Sequence, residues 1–436
     1  MHSLSLSKIF RFWLPLAATW LMMSVEGPYL SAIIARMPNA KYNLAAYGVA
    51  FSFAMIVEAP IIMMLSASVA IVKNRYTFFK LRNFVYTLNL IITALIVLFV
   101  APPVFYYVAE NLVMLPPEVA RLTHIATIIL IPWPAAIGYR RFYQGILIRN
   151  NMTRRVAYGT IVRLSSMSLT ALLMFLFTGL NGAIVGASAL SAGVVSEAIA
   201  SRIMALKAVN NLLHEETNGQ KEHLSYKEII NFYYPLALTS ILTLAVNPMI
   251  TFFMGQSLMP LESLAVLPVI NSFIFIFKSF GVSYQETAIA LIGENKKEYH
   301  PLRNFAIILA VASAGALLLI AFLPLADVWF IGISGLSNDL ASIARLPLMI
   351  LALIPALEVL ISFQRAMLVD SRETGFITTA TAIEVGGIIL TLFITIKYLA
   401  FVGVVAAALA MMLGRIGANI YLFPPFLKFR NPKKEQ

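Results

Sequence analysis

Long apolar stretches separated by short polar segments fill almost the whole chain. Twelve of them reach roughly 20 residues or more, the length that a helix needs to cross a hydrocarbon core of about 30 Å. They run approximately 12 to 34, 44 to 72, 84 to 108, 122 to 148, 157 to 178, 182 to 206, 229 to 255, 263 to 292, 304 to 326, 340 to 369, 377 to 396 and 401 to 427. Only helices satisfy their own backbone over such runs in a bilayer. The pattern predicts an all-α polytopic membrane protein with twelve transmembrane helices.

The second half of the chain repeats the first. Residues 9–19 read IFRFWLPLAAT and residues 229–239 read IINFYYPLALT, and with the offset longer by one position LRNF at 81–84 returns at 302–305. Six spans per half put both halves into the membrane from the same side, so the repeat is parallel about an axis along the membrane normal. We therefore predict two pseudo-symmetric six-helix bundles, 1–206 and 229–436, joined by a polar linker, 207–228. Such a repeat is typical of secondary transporters.

Basic residues lie mainly in alternate loops. The exceptions, on the opposite side, are Arg36, Lys41, Arg121 and Lys397. By the positive-inside rule both termini and the linker are predicted to be cytoplasmic. The net charge of +12 then reflects topology and contact with anionic membrane lipids, and we predict no nucleic-acid partner.

Composition excludes several classes of protein. The chain is 60% hydrophobic and only 12% charged, with a mean hydropathy of +0.84. It has no cysteine, no nucleotide-binding loop of the GxxxxGK[ST] type and no HExxH motif. Its histidines are scattered, so no metal site is expected. We predict that the protein is no enzyme and carries no cofactor, apart from Na⁺ or H⁺ as a coupling ion.

The FxxPLA motif that opens each half resembles the MATE-like, or multidrug/oligosaccharidyl-lipid/polysaccharide (MOP), exporter superfamily. Residues 145–154 and 365–374, after the fourth and tenth spans, resemble the cytoplasmic loop motif that those exporters carry in both halves. The resemblance covers essentially the whole chain. It implies two six-helix bundles around a central V-shaped cleft, and export by alternating access.

Within the superfamily, three short motifs look most like the progressive ankylosis (ANKH) family. They are RFWLPL at 11–16, LAAYG at 44–48 and FYYPLAL at 232–238. That family is associated with export of ATP, pyrophosphate and citrate, so the resemblance implies a small anionic substrate. Short loops and the cysteine-free composition point to a bacterial member in the cytoplasmic (inner) membrane.

Charged residues inside the spans are the candidates for the site. An ionised group at the bilayer centre costs at least about 2.5 to 3.5 kcal/mol, so each needs a partner or a watery cavity. The acids are Glu26, Glu58, Glu197, Glu286, Glu358 and Glu384. Glu58 and Lys278 occupy equivalent positions in the second helix of each half, and we predict that they face each other across the cleft. The alternative is a permanent bridge that locks the halves.

Prolines and arginines complete the set. Pro28, which follows Glu26 closely, and its equivalent Pro248 are expected to kink the first helix of each half near mid-membrane. Arg163 and Arg415 are candidate anion contacts, or else pair with Glu197 and Glu384. Four further arginines are expected to snorkel towards the cytoplasm. They are Arg140, Arg141, Arg202 and Arg365.

The leading hypothesis is a secondary exporter of an anionic metabolite such as pyrophosphate, a nucleotide or a citrate-like acid. Lys278, Arg415 and Arg163 are its candidate anion contacts, and Glu58 and Glu26 its switch or coupling acids. Two alternatives stay open, a lipid-linked oligosaccharide flippase and a cation-coupled multidrug exporter. A net basic cleft favours the first two, and a net acidic cleft favours the third.

Overall fold

A computed structural model describes residues 4–150, 152–214, 224–292, 297–371, 373 and 375–429, and within them the chain is all helical. The helices are α1 (Leu6–Ser24), α2 (Glu26–Ala35), α3 (Ala40–Glu58), α4 (Met64–Ile71), α5 (Arg75–Phe99), α6 (Pro102–Tyr106), α7 (Pro117–Ile129), α8 (Pro132–Arg149), α9 (Thr153–Phe177), α10 (Gly182–His214), α11 (Tyr226–Leu244), α12 (Val246–Gly255), α13 (Pro260–Leu291), α14 (Tyr299–Phe322), α15 (Leu325–Asp327), α16 (Asn338–Leu351), α17 (Ile354–Asp370), α18 (Gly375–Lys397) and α19 (Gly403–Phe429). Two π-helical segments, Tyr107–Leu112 and Val328–Ile333, continue α6 and α15. The prediction of an all-α fold is confirmed.

Eleven helical segments in the described part of the chain are long and apolar enough to cross a membrane. They correspond to the second to twelfth predicted spans. The first predicted span is divided at Val25 into α1 and α2. The chain is therefore an integral membrane protein.

The backbone repeats as the sequence does. The two π-helical segments occupy equivalent places, one after the third predicted span and the other after the ninth. Left-handed backbone conformations also recur at equivalent positions, because Asn39 (φ 54°) matches Met259 (φ 52°) and Met114 (φ 60°) matches Gly335 (φ 74°). Such conformations are uncommon for residues with a side chain. Their recurrence indicates that both halves use the same loop geometry.

Both first helices are interrupted at equivalent places. α1 gives way to α2 at Val25, and α11 gives way to α12 at Ala245. Proline has no N–H, so neither Pro28 nor Pro248 can bond the carbonyl four residues earlier. That carbonyl belongs to the last residue of α1 or α11. The interruptions therefore begin where the missing hydrogen bonds would have been.

The chain forms two compact units that cut across the repeat. Unit 1 comprises Met1–Arg36 and Phe253–Gln436, and unit 2 comprises Met37–Phe252. The first helix of each half thus belongs to the unit built mainly from the other half. The predicted halves, 1–206 and 229–436, describe the sequence repeat and differ from these units.

Equivalent aromatic residues hold the exchanged helices. In unit 1 the indole N–H of Trp13 donates to the carbonyl of Phe280 (3.4 Å) and to the hydroxyl of Ser283 (2.9 Å). In unit 2 the hydroxyl of Tyr233 donates to the carbonyl of Pro60 (2.6 Å). Trp13 corresponds to Tyr233 in the repeat, and Phe280 to Pro60. The first helix of each half is therefore attached by the same kind of contact to the second span of the other half.

The linker predicted at 207–228 is shorter in the structure, because helices occupy part of that range. α10 continues to His214, and residues 215–223 lie outside the described residues. Ser225 caps α11 by accepting from the N–H of Glu228, whose carboxylate accepts from the N–H of Ser225. This capping box fixes the start of the second repeat.

Close packing of α13 on α17 depends on Gly281. A Cβ atom there would lie 2.9 Å from the backbone nitrogen of Val359, so Gly281→Ala has to push the two helices apart. We expect a loss of about 1 to 3 kcal/mol of stability, measured by thermal unfolding in detergent. In the control, Gly315→Ala, nothing lies within 4 Å of the added atom, and no loss is expected. Equal unfolding temperatures for both variants would contradict the packing.

Candidate functional site

A buried carboxylate collects two cations in unit 1. Glu358, on α17, is 6% exposed. Its Oε2 lies 3.5 Å from Nζ of Lys278 on α13 and 3.2 Å from a guanidinium nitrogen of Arg415 on α19. One carboxylate thus joins three helices. Removing any member would leave charge without compensation in a low-dielectric interior.

Arg415 extends this cluster to a fourth helix. Its Nε lies 3.0 Å from Oε1 of Glu384 on α18. The neighbouring Gly414 lets α18 come close, because a Cβ there would lie 2.8 Å from the carbonyl oxygen of Glu384. Arg415 therefore bridges the carboxylates of two helices.

The same region of unit 1 carries an excess of positive charge. Arg365, two turns along α17 from Glu358, contacts the hydroxyl of Thr381 at 3.4 Å. Lys278, Arg365 and Arg415 give three cations against the two carboxylates of Glu358 and Glu384. The side chain of Lys278 is 27% exposed, against 13% for Arg415. Lys278 is thus the more accessible of these two cations.

Unit 2 holds a comparable cluster around Glu197 on α10, which is 1% exposed. Its carboxylate pairs with Arg140 on α8 and lies 3.9 Å from Arg163 on α9. Gln144, one turn after Arg140, donates to the other carboxylate oxygen at 3.1 Å. Glu197 therefore joins three helices, as Glu358 does in unit 1.

Glu58 lies at the end of α3 in the same unit and is 8% exposed. α3 ends there because Pro60 cannot continue the backbone ladder. The indole N–H of Trp133 on α8 donates to Oε2 of Glu58 at 2.8 Å. The guanidinium of Arg163 lies 5.8 Å from the Trp133 ring centre. Trp133 thus lies between Glu58 and the cluster around Glu197.

Charge is reversed between the two repeats. Arg163 on α9 corresponds to Glu384 on α18, at the offset that relates the two LRNF segments. In unit 2 the helix that follows α9 is α10, and it carries the acid Glu197. In unit 1 the helix that follows α18 is α19, and it carries the cation Arg415. The pairs Arg163 with Glu197 and Arg415 with Glu384 are those that the sequence offered as the alternative to anion contacts.

The other predicted residues lie apart from these pairs. Glu26 is buried at the first residue of α2. A Cβ on its neighbour Gly27 would meet Ser272 of α13, six residues or about 9 Å along the helix from Lys278. Glu58 and Lys278 each have a partner in their own unit, Trp133 and Glu358. Their approach to each other stays a prediction.

One expectation from the sequence is wrong, and one residue was missed. Arg140 does not snorkel, because it is 5% exposed and pairs with Glu197. Glu358 carried no assigned role. The repeat offered no signal, since the equivalent of Glu358, at the offset that relates the two LRNF segments, is Ile137. Within the described residues no group of three or more His, Asp or Glu side chains is placed to hold a metal ion.

The cluster in unit 2 predicts a large penalty for Glu197→Gln. The substitution leaves Arg140 buried without its counter-charge, which costs about 3 to 5 kcal/mol. Thermal unfolding in detergent measures the loss. The control is Asp327→Asn, which breaks the ion pair with Arg345 where the two side chains are 31% and 51% exposed, and it should change little. If Glu197→Gln were as stable as the control, the negative charge of Glu197 would not be needed to stabilise the buried Arg140.

Comparison with known proteins identifies the fold. No protein-family model and no curated protein matches the sequence. Among solved structures, the chain is similar to the inward-facing form of a multidrug resistance MATE family transporter of the MOP superfamily, with a TM-score of 0.73, 14% identity and 94% of each chain covered. It is also similar to the lipid II flippase MurJ in an inward closed conformation, with a TM-score of 0.72, 16% identity and coverage of 96% of this chain and 90% of that one.

A third similar structure is a MOP superfamily transporter from Pyrococcus furiosus, with a TM-score of 0.64, 15% identity and 98% of each chain covered. It is described as having a binding pocket of reverse polarity that suggests a different function. These neighbours are transporters and not enzymes. The chain therefore has the fold of the MATE and MOP-superfamily transporters.

Proposed function

We propose that the protein is a secondary active exporter that works by alternating access and carries a small anionic metabolite, of the pyrophosphate, nucleotide or citrate type. We further propose that it is a bacterial inner-membrane relative of the progressive ankylosis family. The fold supports the transporter class. The observation that carries the choice of an anion is the excess of cations over carboxylates around Glu358.

Lys278 is the proposed substrate contact in unit 1. Its ammonium is the more exposed partner of Glu358, and at 3.5 Å it is held less closely than Arg415 at 3.2 Å. An anion can therefore attract Lys278 while Arg415 keeps Glu358 neutralised. An ammonium on a flexible stem is suited to such an exchange, because it needs no fixed planar geometry. Arg415 and Arg163 then act mainly to hold the helices around the site.

Glu58 is the proposed coupling acid in unit 2, with Na⁺ or H⁺ as the coupling ion. Its hydrogen bond comes from a neutral indole, whereas Glu197 and Glu358 contact guanidinium groups. Binding of a coupling ion at Glu197 or Glu358 would instead compete with the buried arginines that these two carboxylates neutralise. Glu26 is a second acid with this proposed role.

A second candidate function is the flipping of a lipid-linked saccharide. The likeness to the lipid II flippase, at a TM-score of 0.72, favours it. A basic site suits the diphosphate of such a lipid as well as it suits a free anion. The two functions differ in whether the transported molecule carries a lipid tail.

Transport by purified protein in liposomes tests the proposal. Uptake of labelled pyrophosphate, ATP and citrate is compared with that of an organic cation and with translocation of a fluorescent lipid-linked saccharide, each with and without pH and Na⁺ gradients. The proposal predicts transport of at least one free anion. Transport of the cation alone, or of the lipid alone, would contradict it.

Lys278→Ala should raise the KM for the anion about tenfold or more, because a charge-assisted hydrogen bond contributes roughly 1.5 to 3 kcal/mol. Lys278→Arg keeps the charge and should retain most of the transport. Lys397→Ala removes the same charge from the end of α18 and should leave KM unchanged. Thermal unfolding checks that each variant is folded. Folded Lys278→Ala protein with the wild-type KM would remove Lys278 from the site.

Glu58→Gln separates coupling from substrate binding. Glutamine keeps an oxygen that can accept from Trp133, but it loses the charge. We expect exchange of anion across the membrane without a gradient to persist, and accumulation driven by an ion gradient to disappear. Glu286→Gln, an exposed acid in α13, is the control and should accumulate normally. Normal accumulation by Glu58→Gln would contradict the coupling role.

A further inference from the structure

An apolar groove opens on unit 1 where α1, α13 and α14 meet. Its volume is about 310 Å³, and its lining includes Trp13, Phe280 and Phe305. The lining is almost wholly apolar, since the hydroxyl of Ser313 donates to the carbonyl of Leu309. Such a surface has no group that could bind a polar metabolite, so it is separate from the cluster around Glu358 in its chemistry.

Small residues on α14 create the groove. Ala312, Ser313 and Ala316 line it, whereas the repeat-equivalent positions of α5 carry Ile91, Ile92 and Leu95. Both helices bear an equivalent phenylalanine, and each phenylalanine contacts the aromatic residue of an exchanged first helix: Phe305 with Trp13 at 5.7 Å and Phe84 with Tyr233 at 5.6 Å. The aromatic contact beside the groove is thus common to both halves. The groove itself exists where α14 carries small side chains in place of the larger ones of α5.

The groove has the length of a lipid chain in one leaflet. From Phe305 to Ala316 it extends eleven residues along α14, about 16 Å, roughly half of a hydrocarbon core of about 30 Å. It begins near the first turns of α1 and α14, at the ends that the distribution of positive charge predicts to be cytoplasmic. At this depth in the membrane the protein is surrounded by hydrocarbon, so lipid acyl chains are what can fill an apolar groove.

Exposed cations stand at the same ends of the helices. Lys8 and Arg11 flank Phe10 of the groove on α1, and Arg303 precedes Phe305 on α14. The acid nearby in the sequence, Glu298, accepts from the backbone N–H of Leu4 at 3.1 Å. Basic residues beside a gap between helices on the cytoplasmic side favour anionic headgroups.

We propose that this groove is a binding site for an anionic glycerophospholipid of the cytoplasmic leaflet. One acyl chain lies along α14 against the aromatic residues, and the phosphate is bound by the cations at the ends of α1 and α14. The lipid is a bound component of unit 1 and not the transported substrate. Its chain attaches α1 to the helices of unit 1, beside the hydrogen bonds of Trp13.

Native mass spectrometry of the full chain, titrated with dioleoyl-phosphatidylglycerol or dioleoyl-phosphatidylcholine, tests the proposal. We expect one phosphatidylglycerol to bind more tightly than phosphatidylcholine, by about fivefold for each cation that contacts the headgroup. Lys8→Ala with Arg11→Ala should reduce that preference. Equal binding of the two lipids by the unmodified protein would overturn the proposal.

Filling the groove provides the matched test. Ala312→Ile with Ala316→Leu installs the side chains of the other repeat and should weaken phosphatidylglycerol binding at least tenfold. The control, Val311→Leu, adds volume to a side chain that is 68% exposed, and it should bind normally. Ala312→Ile alone serves if the double variant unfolds early in a thermal melt.

Fluorescence gives an independent readout. Dibromo-oleoyl phosphatidylglycerol at low mole fraction should quench Trp13, with Trp13→Phe as the blank, and the groove-filling variant should lose the quenching. Unchanged lipid binding and quenching in that variant would overturn the proposal. So would a change in the oligomeric state of that variant without a change in lipid binding, because it would assign the groove to a second copy of the chain.

Discussion

Two buried carboxylates organise this protein, because charge within apolar helices has to be neutralised where it lies. An ionised side chain at the bilayer centre costs at least about 2.5 to 3.5 kcal/mol. Glu197 joins α10 to α8 and α9 in unit 2, and Glu358 joins α17 to α13 and α19 in unit 1. Each acid fixes the rotation of three helices at once.

The repeat preserves this arrangement while reversing some of its charges. Arg163 and Glu384 are equivalent positions of opposite sign, and each pairs with the helix that follows it. The exposure of the cations that contact the central acid differs between the units. The side chains of the two arginines that contact Glu197 are 6% and 12% exposed, whereas that of Lys278 beside Glu358 is 27% exposed. This asymmetry is why we assign the substrate contact to unit 1 and the coupling acid to unit 2.

The sequence predicted the repeat and the helices but not how the first helices pack. Apolar length identifies a span, and Pro28 and Pro248 mark the places where α1 and α11 are interrupted. α1 is attached to α13 by the hydrogen bonds of Trp13. The hydrophobic periodicity of the sequence does not indicate which acceptors Trp13 contacts. A shared offset between Trp13 and Tyr233 hinted only that their partners would be equivalent.

The sequence predicted which types of residue form the candidate site. It predicted less well which of these residues pair with one another. Arg163 and Arg415 were candidate anion contacts, with pairing to Glu197 and Glu384 as the alternative, and the structure contains those two pairs. Arg140 was misjudged because distance from a helix end does not tell which face of the helix an arginine occupies. Glu358 was overlooked because an acid gains its role from cations on two other helices, and their convergence on it is a property of the fold.

The proposed transport depends on the binding of an anion by the residual positive charge of unit 1. Ligand-induced stabilisation of the purified wild-type protein tests it most directly, because a ligand that binds only the folded state raises the unfolding temperature. We expect a saturable rise with pyrophosphate, a nucleotide or citrate that is weakened by salt, and none with an organic cation of similar size. A saturable rise with the cation, and none with any of the anions, would contradict it.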